Sequence, residues 1–157
     1  GESDHRHPTT AVGPTSGWSM SFILSQKSLR RLEGVNPALV QVVKRAIQIT
    51  PIDFIVVEGL RTKERQAYLF EKGATKTMNS RHLTGDAVDL APIVNNKVSW
   101  DWKDFYPLAE AVKEAAKQVQ VEDEETSSFL TQCSILFGWL WFYGNSQFAV
   151  NTFIKKL

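Results

Sequence analysis

The chain has 157 residues, which is enough for one domain with a single core and too short for two ordinary domains. Its 18 basic and 17 acidic residues leave a net charge of +1 without a face rich in Lys or Arg, which argues against a nucleic-acid partner. Cys133 is the only cysteine, so neither a disulfide framework nor a cysteine-based zinc site is expected.

The first 19 residues are rich in Gly, Pro, Ser and Thr and have no apolar period. They also lack the apolar run of a signal peptide. We therefore predict a disordered leader over residues 1–19 and an ordered domain over residues 20–118. His5 and His7 lie in this leader and are interpreted as part of a polar linker.

A helix is predicted to begin at Asn36 and Pro37, because asparagine caps helices and proline costs no hydrogen bond at the first helical position. Apolar residues then recur at helical spacing until Pro51 ends the helix. A strand rich in β-branched residues follows at residues 52–57 and leads directly to Arg61.

Thr62 is predicted to cap a second helix that ends at Lys72 and Gly73. Its inward-facing residues are expected to be Tyr68, Leu69 and Ala67.

The second half of the domain is predicted to contain a hairpin and a long helix. Residues 87–94 alternate like a half-buried strand, and Asn95-Asn96 suits a tight turn into a strand at residues 97–100. Asp104 is expected to cap a third helix with Pro107 in its first turn. Trp100, Trp102 and Phe105 are expected to cover the core. The predicted fold is thus α+β, a small antiparallel sheet with packed helices and a site at the edge of the sheet.

Residues 119–157 form a divergent segment with a different character. An acidic run at residues 122–125 precedes a densely apolar run at residues 129–143. This run is shorter than the roughly 20 residues that span a bilayer, so a buried strand or helix is favoured over a membrane span. A final strand is predicted at residues 147–154.

The stretch SRHLTGDAVDL carries the chemistry that stands out most in the chain. A turn at Gly85 folds the loop that carries His82 back toward the strand that carries Asp89, so an imidazole and a carboxylate are expected to converge. Nitrogen and oxygen ligands of this kind suit zinc, which takes about four ligands at roughly 2.0–2.2 Å. The same pair also fits a surface hydrogen bond or a cap, and the spacing alone leaves both interpretations open.

The stretch resembles the S-x-H-x-x-G-x-A-x-D motif of the zinc D-Ala-D-Ala carboxypeptidase and L-alanyl-D-glutamate endopeptidase family, which cleaves bacterial cell-wall peptides. Five positions match the motif: Ser80, His82, Gly85, Ala87 and Asp89. The similarity extends over residues 21–118, is closest to the phage endolysin branch, and does not include the C-terminal part.

The resemblance implies zinc bound by His82 and Asp89, with Ser80 at the edge of the site. It also implies that Arg61 faces the carbonyl or carboxylate of the substrate. The base carboxylate and the third histidine of the family are not found, because no histidine follows His82. The acidic run at residues 122–125 lacks the neighbouring histidine as well, so weak zinc binding is predicted.

The predicted function is zinc-dependent hydrolysis of peptidoglycan peptides, by an endopeptidase or a carboxypeptidase, impaired by the missing base and ligand. The alternative is a non-catalytic relic or a module that binds muropeptides; a membrane-associated protein is a third class. The expected partner is a peptidoglycan peptide, with no nucleic acid, no membrane and a monomeric chain. If the resemblance holds, this would be a phage-type lytic enzyme made in the host cytoplasm.

Overall fold

The structure is a computed structural model that describes residues 21–122 and 134–137. The predicted leader and the predicted strand at residues 147–154 lie outside the described residues. In chain order the elements are α1 (Gln26–Arg31), α2 (Pro37–Ile49), β1 (Asp53–Glu58), α3 (Lys63–Glu71), a 3-10 turn (Arg81–Thr84), β2 (Ala87–Val94), β3 (Lys97–Val98), α4 (Trp102–Glu122) and β4 (Ser134–Phe137).

Local signals set the ends of several elements. The Asn36 side chain accepts a hydrogen bond from the backbone N–H of Ala38 at 3.0 Å, which caps α2 directly before Pro37. Thr62 caps α3 in the same way through the N–H of Arg65, at 3.1 Å. These starts agree with the sequence prediction, because a cap depends only on residues within one turn.

The sheet is built around β2, the strand that contains Asp89. β1 pairs antiparallel with β2 along most of its length, and β3 returns antiparallel through a turn in which Asn95 and Asn96 have φ values of 52° and 61°. Asparagine tolerates this left-handed conformation better than most residues. The α+β fold with a small antiparallel sheet is confirmed, and β4 adds a fourth strand that runs parallel to β2 beside Asp89.

The core lies between the sheet and the helices α2 and α4, which pack against each other. Its members are apolar side chains from both helices and from the inner face of the two long strands, including Leu39, Val42, Val43, Phe54, Val56, Leu90, Phe105, Leu108 and Val112. The helix α4 continues to Glu122, and Val119 near its end is still buried. Val88 and Leu90 of β2 face this core, so Asp89 between them points to the other face of the sheet, where it lies near His82.

The prediction for the inner face of α3 was right for Leu69 and wrong for Tyr68 and Ala67. Gln66 and Leu69 are buried, whereas Tyr68 is half exposed and Ala67 is exposed. The Tyr68 ring instead lies 5.6 Å from the cationic group of Arg65. Gln66 takes the inner place because its amide has polar partners there, which the apolar pattern of a short helix does not reveal.

Three predictions for the start of α4 were also wrong. The first residue of the helix is Trp102, and the Asp101 carboxylate accepts a hydrogen bond from the N–H of Lys103 at 3.2 Å, so Asp101 rather than Asp104 acts as the cap. Pro107 therefore lies beyond the first turn. Trp100 and Trp102 are more than half exposed, and only Phe105 of the three aromatic residues enters the core.

Within residues 21–122 and 134–137, no helix has the length and apolar character needed to cross a membrane.

Candidate active site

The 3-10 turn and the strand β2 bring His82 and Asp89 together. Ser80 caps the turn by accepting a hydrogen bond from the His82 N–H at 3.3 Å, and Gly85 ends the turn with φ at 78°. The chain then enters β2 directly, so the loop folds back over the strand that it feeds. The His82 Nε2 atom lies 3.4 Å from the Asp89 Oδ1 atom.

The His82 ring is held so that only one nitrogen faces Asp89. Its Nδ1 atom lies 2.8 Å from the Gly59 carbonyl oxygen, which can only accept a hydrogen bond, so Nδ1 carries the proton. The His82 side chain is 2% exposed, and Nε2 is a buried atom without a hydrogen-bond partner. A lone pair on Nε2 and a carboxylate oxygen therefore face each other, and only a proton or a cation between them makes the contact favourable.

This spacing fits one metal ion shared by the two side chains. Two ligands of a tetrahedral zinc, each at roughly 2.0–2.1 Å, lie about 3.3 Å apart. The hydrogen bond from Nδ1 to a carbonyl is also the usual way in which a ligating histidine is oriented. Among the residues that the structure describes, however, no group of three or more His, Cys, Asp or Glu side chains could hold a metal ion.

Arg61 lies beside this pair but is not a free substrate-binding fork. Its side chain is 4% exposed, and its Nε and Nη2 atoms donate to the two Glu58 oxygens at 2.9 and 2.7 Å. Nη2 also lies 3.8 Å from the Asp89 Oδ2 atom. The backbone N–H of Arg61 donates to the His82 carbonyl at 2.9 Å, which ties the two segments of the site together.

Two residues of this cluster were not identified in the sequence, Glu58 and Gln66. Glu58 ends β1 and pairs in register with Asp89 on β2, which places two carboxylates side by side. Gln66 is completely buried and accepts a hydrogen bond from Arg61 Nη1 at 2.7 Å. Glu58 could have been found in the sequence, because it is a charged residue at the end of an apolar strand and lies three positions before Arg61. No sequence pattern pointed to Gln66.

The pKa of Glu58 is lowered by its surroundings. Burial by itself would raise this pKa, but the hydrogen bonds and charge of Arg61 oppose burial, together with the charges of Arg65 and of His82 when it is protonated, and their sum prevails. Glu58 therefore stays ionised and paired with Arg61. The Nη2 atom of the same guanidinium also lies within the range of an ion pair with Asp89.

A solved structure has the same architecture. The crystal structure of the L-Ala D-Glu endopeptidase ChiX from Serratia marcescens is similar to this chain, with a TM-score of 0.58 and 39% sequence identity over 62% of this chain and 74% of that one. The chain thus has the fold of a known peptidase class, and His82, Asp89 and the buried Arg61 lie together in it.

The family is shown by the sequence comparisons. The family model of the phage L-alanyl-D-glutamate peptidases matches residues 20–125, and the chain belongs to this family. The L-alanyl-D-glutamate peptidase of Escherichia phage T5 is 35% identical over 107 residues, which cover 66% of this chain and 78% of that protein. The enzyme of the same name from Listeria phage A118 is 41% identical over 49 residues, which cover 31% of this chain but only 17% of that protein.

Proposed function

We propose that this chain is a peptidase domain directed at the L-alanyl-D-glutamate bond of cell-wall peptides. The observation that carries the proposal is the buried His82 Nε2 atom, which has no hydrogen-bond partner and lies 3.4 Å from an Asp89 oxygen. Family membership and the names of the similar proteins support the choice of bond over the D-Ala-D-Ala bond of carboxypeptidases.

Zinc is the proposed cofactor, and His82 and Asp89 are the residues that would hold it. A zinc ion bound there would act as a Lewis acid on the substrate carbonyl and would lower the pKa of a bound water toward about 7. Two ligands give weaker binding than three, because each missing ligand removes bond energy and geometric constraint. Ser80 acts indirectly in this proposal, since its hydroxyl fixes the turn that carries His82.

Arg61 is proposed to act through its charge. Because its Nε and Nη2 atoms are engaged by Glu58, it stabilises negative charge at Asp89 and on a substrate carbonyl or carboxylate placed next to it. Because Arg61 is held in place and water is excluded from it, its charge does not have to move when negative charge develops nearby.

A non-catalytic muropeptide-binding domain is the second candidate. It is favoured by the finding that residues 21–122 and 134–137 contain no cluster of three potential metal ligands. Such a domain would bind the peptide without cleaving it. We expect little or no hydrolysis by the 157-residue chain, because no base with a neighbouring histidine follows His82.

Calorimetric titration of the purified chain with zinc tests the proposed site. We expect weak binding of one ion, loss of binding in the His82→Ala variant, and unchanged binding when His5 and His7 are both replaced by alanine. If zinc binding were lost only when His5 and His7 are replaced, these two histidines and not His82 would hold the ion, and the proposal would be contradicted.

Turnover of a peptide that contains the L-alanyl-D-glutamate bond, measured with zinc and with a chelator, tests the predicted impairment. Binding without cleavage is expected both from an impaired peptidase and from a muropeptide-binding domain, and zinc binding in the titration is expected only from the former. Robust turnover that the chelator abolishes would contradict the predicted impairment and establish the peptidase.

A further inference from the structure

Gln66 is the most deeply buried polar side chain next to the proposed site, with no exposed surface. Its Oε1 atom accepts a hydrogen bond from Arg61 Nη1 at 2.7 Å, and its Nε2 atom donates to the Thr77 carbonyl at 2.7 Å. Both partners set the orientation of the amide, because a guanidinium only donates and a carbonyl only accepts. Each end of the side chain thus has one specific role.

Arg61 depends on this amide for the tilt of its guanidinium plane. Glu58 binds Nε and Nη2, and because the guanidinium is a rigid plane, the motion left to it is a tilt about these two bonds, which moves Nη1 most. Since the Arg61 side chain is almost completely buried, water cannot replace a lost partner easily, and an unpaired donor on a charged group is costly there. Removing the acceptor would therefore favour rotation of the guanidinium away from its present plane.

The other end of Gln66 connects α3 to the segment that leads into the site. Thr77 lies three residues before Ser80, the residue that caps the turn with His82. The amide therefore links Arg61, which borders Asp89, with the segment that positions His82. Glu58 alone cannot make this link, because it holds Arg61 only from the side of β1.

We propose that Gln66 is a positioning residue that holds Arg61 in the orientation in which Nη2 faces Asp89. The inference rests on the proposed function, because it assigns importance to the Arg61 charge at that site. Gln66 itself does not touch the His82–Asp89 pair, and its effect is transmitted through the guanidinium.

Nuclear magnetic resonance of the arginine side chains in the full chain tests the proposal without requiring turnover. Bonded Nη1 protons exchange slowly with water, and their rotation about the Cζ–Nη1 bond is hindered. In Gln66→Met, which preserves volume and removes both hydrogen bonds, we expect the Arg61 Nη1 signals to average and their exchange with water to accelerate at least tenfold. The signals are assigned by their absence in Arg61→Lys.

Gln66→Glu separates positioning from general stability. This variant keeps an acceptor for Arg61 but directs a second oxygen at the Thr77 carbonyl, so it loses stability while the Arg61 signals stay resolved. Gln118→Met is the matched control, because it removes another arginine–glutamine contact, Arg45 Nε to Gln118 Oε1 at 2.6 Å, on the exposed α2–α4 surface. Arg61 signals should be unchanged there.

Binding of an L-alanyl-D-glutamate peptide completes the test. We expect affinity to fall about tenfold in Gln66→Met, as for the loss of a hydrogen bond to a charged group, and to stay within twofold in Gln118→Met. Arg61 signals in Gln66→Met that match the unmodified chain, or equal peptide affinity despite altered signals, would overturn the inference. Failure of the unmodified chain to bind the peptide would instead contradict the proposed function, and the Arg61 signals would still decide the positioning role.

Discussion

His82 directs Nε2 toward Asp89 because its other ring nitrogen is bonded to the Gly59 carbonyl. Its partner Asp89 is partly exposed and also lies near Arg61. The His82 Nε2 and Asp89 Oδ1 atoms lie 3.4 Å apart, and a proton or a cation between them makes the contact favourable. At the scale of single residues, this contact is the basis of the proposed zinc site.

Replacing Asp89 by asparagine tests this arrangement. The amide group of asparagine can donate a hydrogen bond to His82 Nε2, which compensates for the lost charge contact with Arg61. We expect the free energy of unfolding to stay within about 1 kcal/mol of the unmodified chain, while zinc binding is lost. Thermal unfolding and calorimetric titration measure the two effects.

Asp86→Asn is the control for that substitution. Asp86 is a nearby carboxylate that accepts hydrogen bonds from Asn36 and Thr84, outside the His82–Asp89 pair. Zinc binding should survive there. Its loss in both variants would show that general negative charge, and not the pair, attracts the ion.

We expect the Glu58→Gln substitution to lower the free energy of unfolding by an amount that depends on pH. The pKa of Glu58 is lowered in the folded protein, so its ionised form stabilises the fold above the unfolded value of about 4.3, and this contribution is lost as the pH falls through the folded value. At pH 7 we expect the variant to be less stable by about 2 kcal/mol, as for hydrogen bonds to a charged group.

Denaturant unfolding at pH 7 and at several values below pH 4.3 measures this difference for Glu58. The gap between the two proteins should narrow as the pH falls. A constant gap over the whole range would mean that the carboxylate charge is not what stabilises the Arg61 contact.

At the scale of elements, the turn that carries His82 is pressed against the segment that leads into α2. The Gly85 carbonyl accepts a hydrogen bond from the Asn36 N–H at 2.8 Å. A Cβ atom on Gly85 would lie 2.5 Å from the Gly34 carbonyl oxygen. The left-handed φ of Gly85 and this close approach together require glycine.

Gly85→Ala should therefore weaken both the fold and the site. We expect a loss of about 2 kcal/mol or more from backbone strain and the clash with Gly34, together with weaker zinc binding, because the turn must shift. Gly73→Ala is the matched control: its φ is 73°, but nothing lies within 4 Å of a Cβ atom there. Equal losses of stability and unchanged zinc binding in both variants would exclude a role for the Gly34 contact.

At the scale of the whole molecule, the chain after α4 returns to the sheet next to the site. β4 pairs parallel with the first half of β2, and Leu136 is in register with Asp89. The C-terminal part of the chain is thus the part whose backbone passes beside the proposed zinc ligand, yet its sequence contains no histidine.

Replacing the residues after Glu122 with a family-like tail, in which an acidic residue is closely followed by a histidine, should restore zinc-dependent cleavage. The junction at Glu122 keeps α4 intact, including the buried Val119. The new side chains would supply a third ligand and an acceptor for the proton of water. Cleavage of an L-alanyl-D-glutamate peptide is the measurement, and the same tail with alanine for its histidine is the control.

Much of the fold was predictable because its signals are short-range. The caps at Asn36 and Thr62, the stop at Pro51 and the paired asparagines of the hairpin act within one turn of the chain. Leu69 was correctly predicted on the inner face of α3, but Gln66 was not, since a nine-residue helix with apolar residues on two sides has no clear period.

The sequence by itself determined α2, β1, α3, the hairpin of β2 and β3, the α+β class and the approach of His82 to Asp89, in which turn, glycine and strand follow one another without a break. Only the tertiary structure decided the surroundings of that pair. Glu58 and Gln66 reach Arg61 from β1 and α3, and the Gly59 carbonyl selects the free nitrogen of His82. Those contacts join residues from separate elements, and hydrogen-bond direction and burial, which no local pattern encodes, determine which of them form.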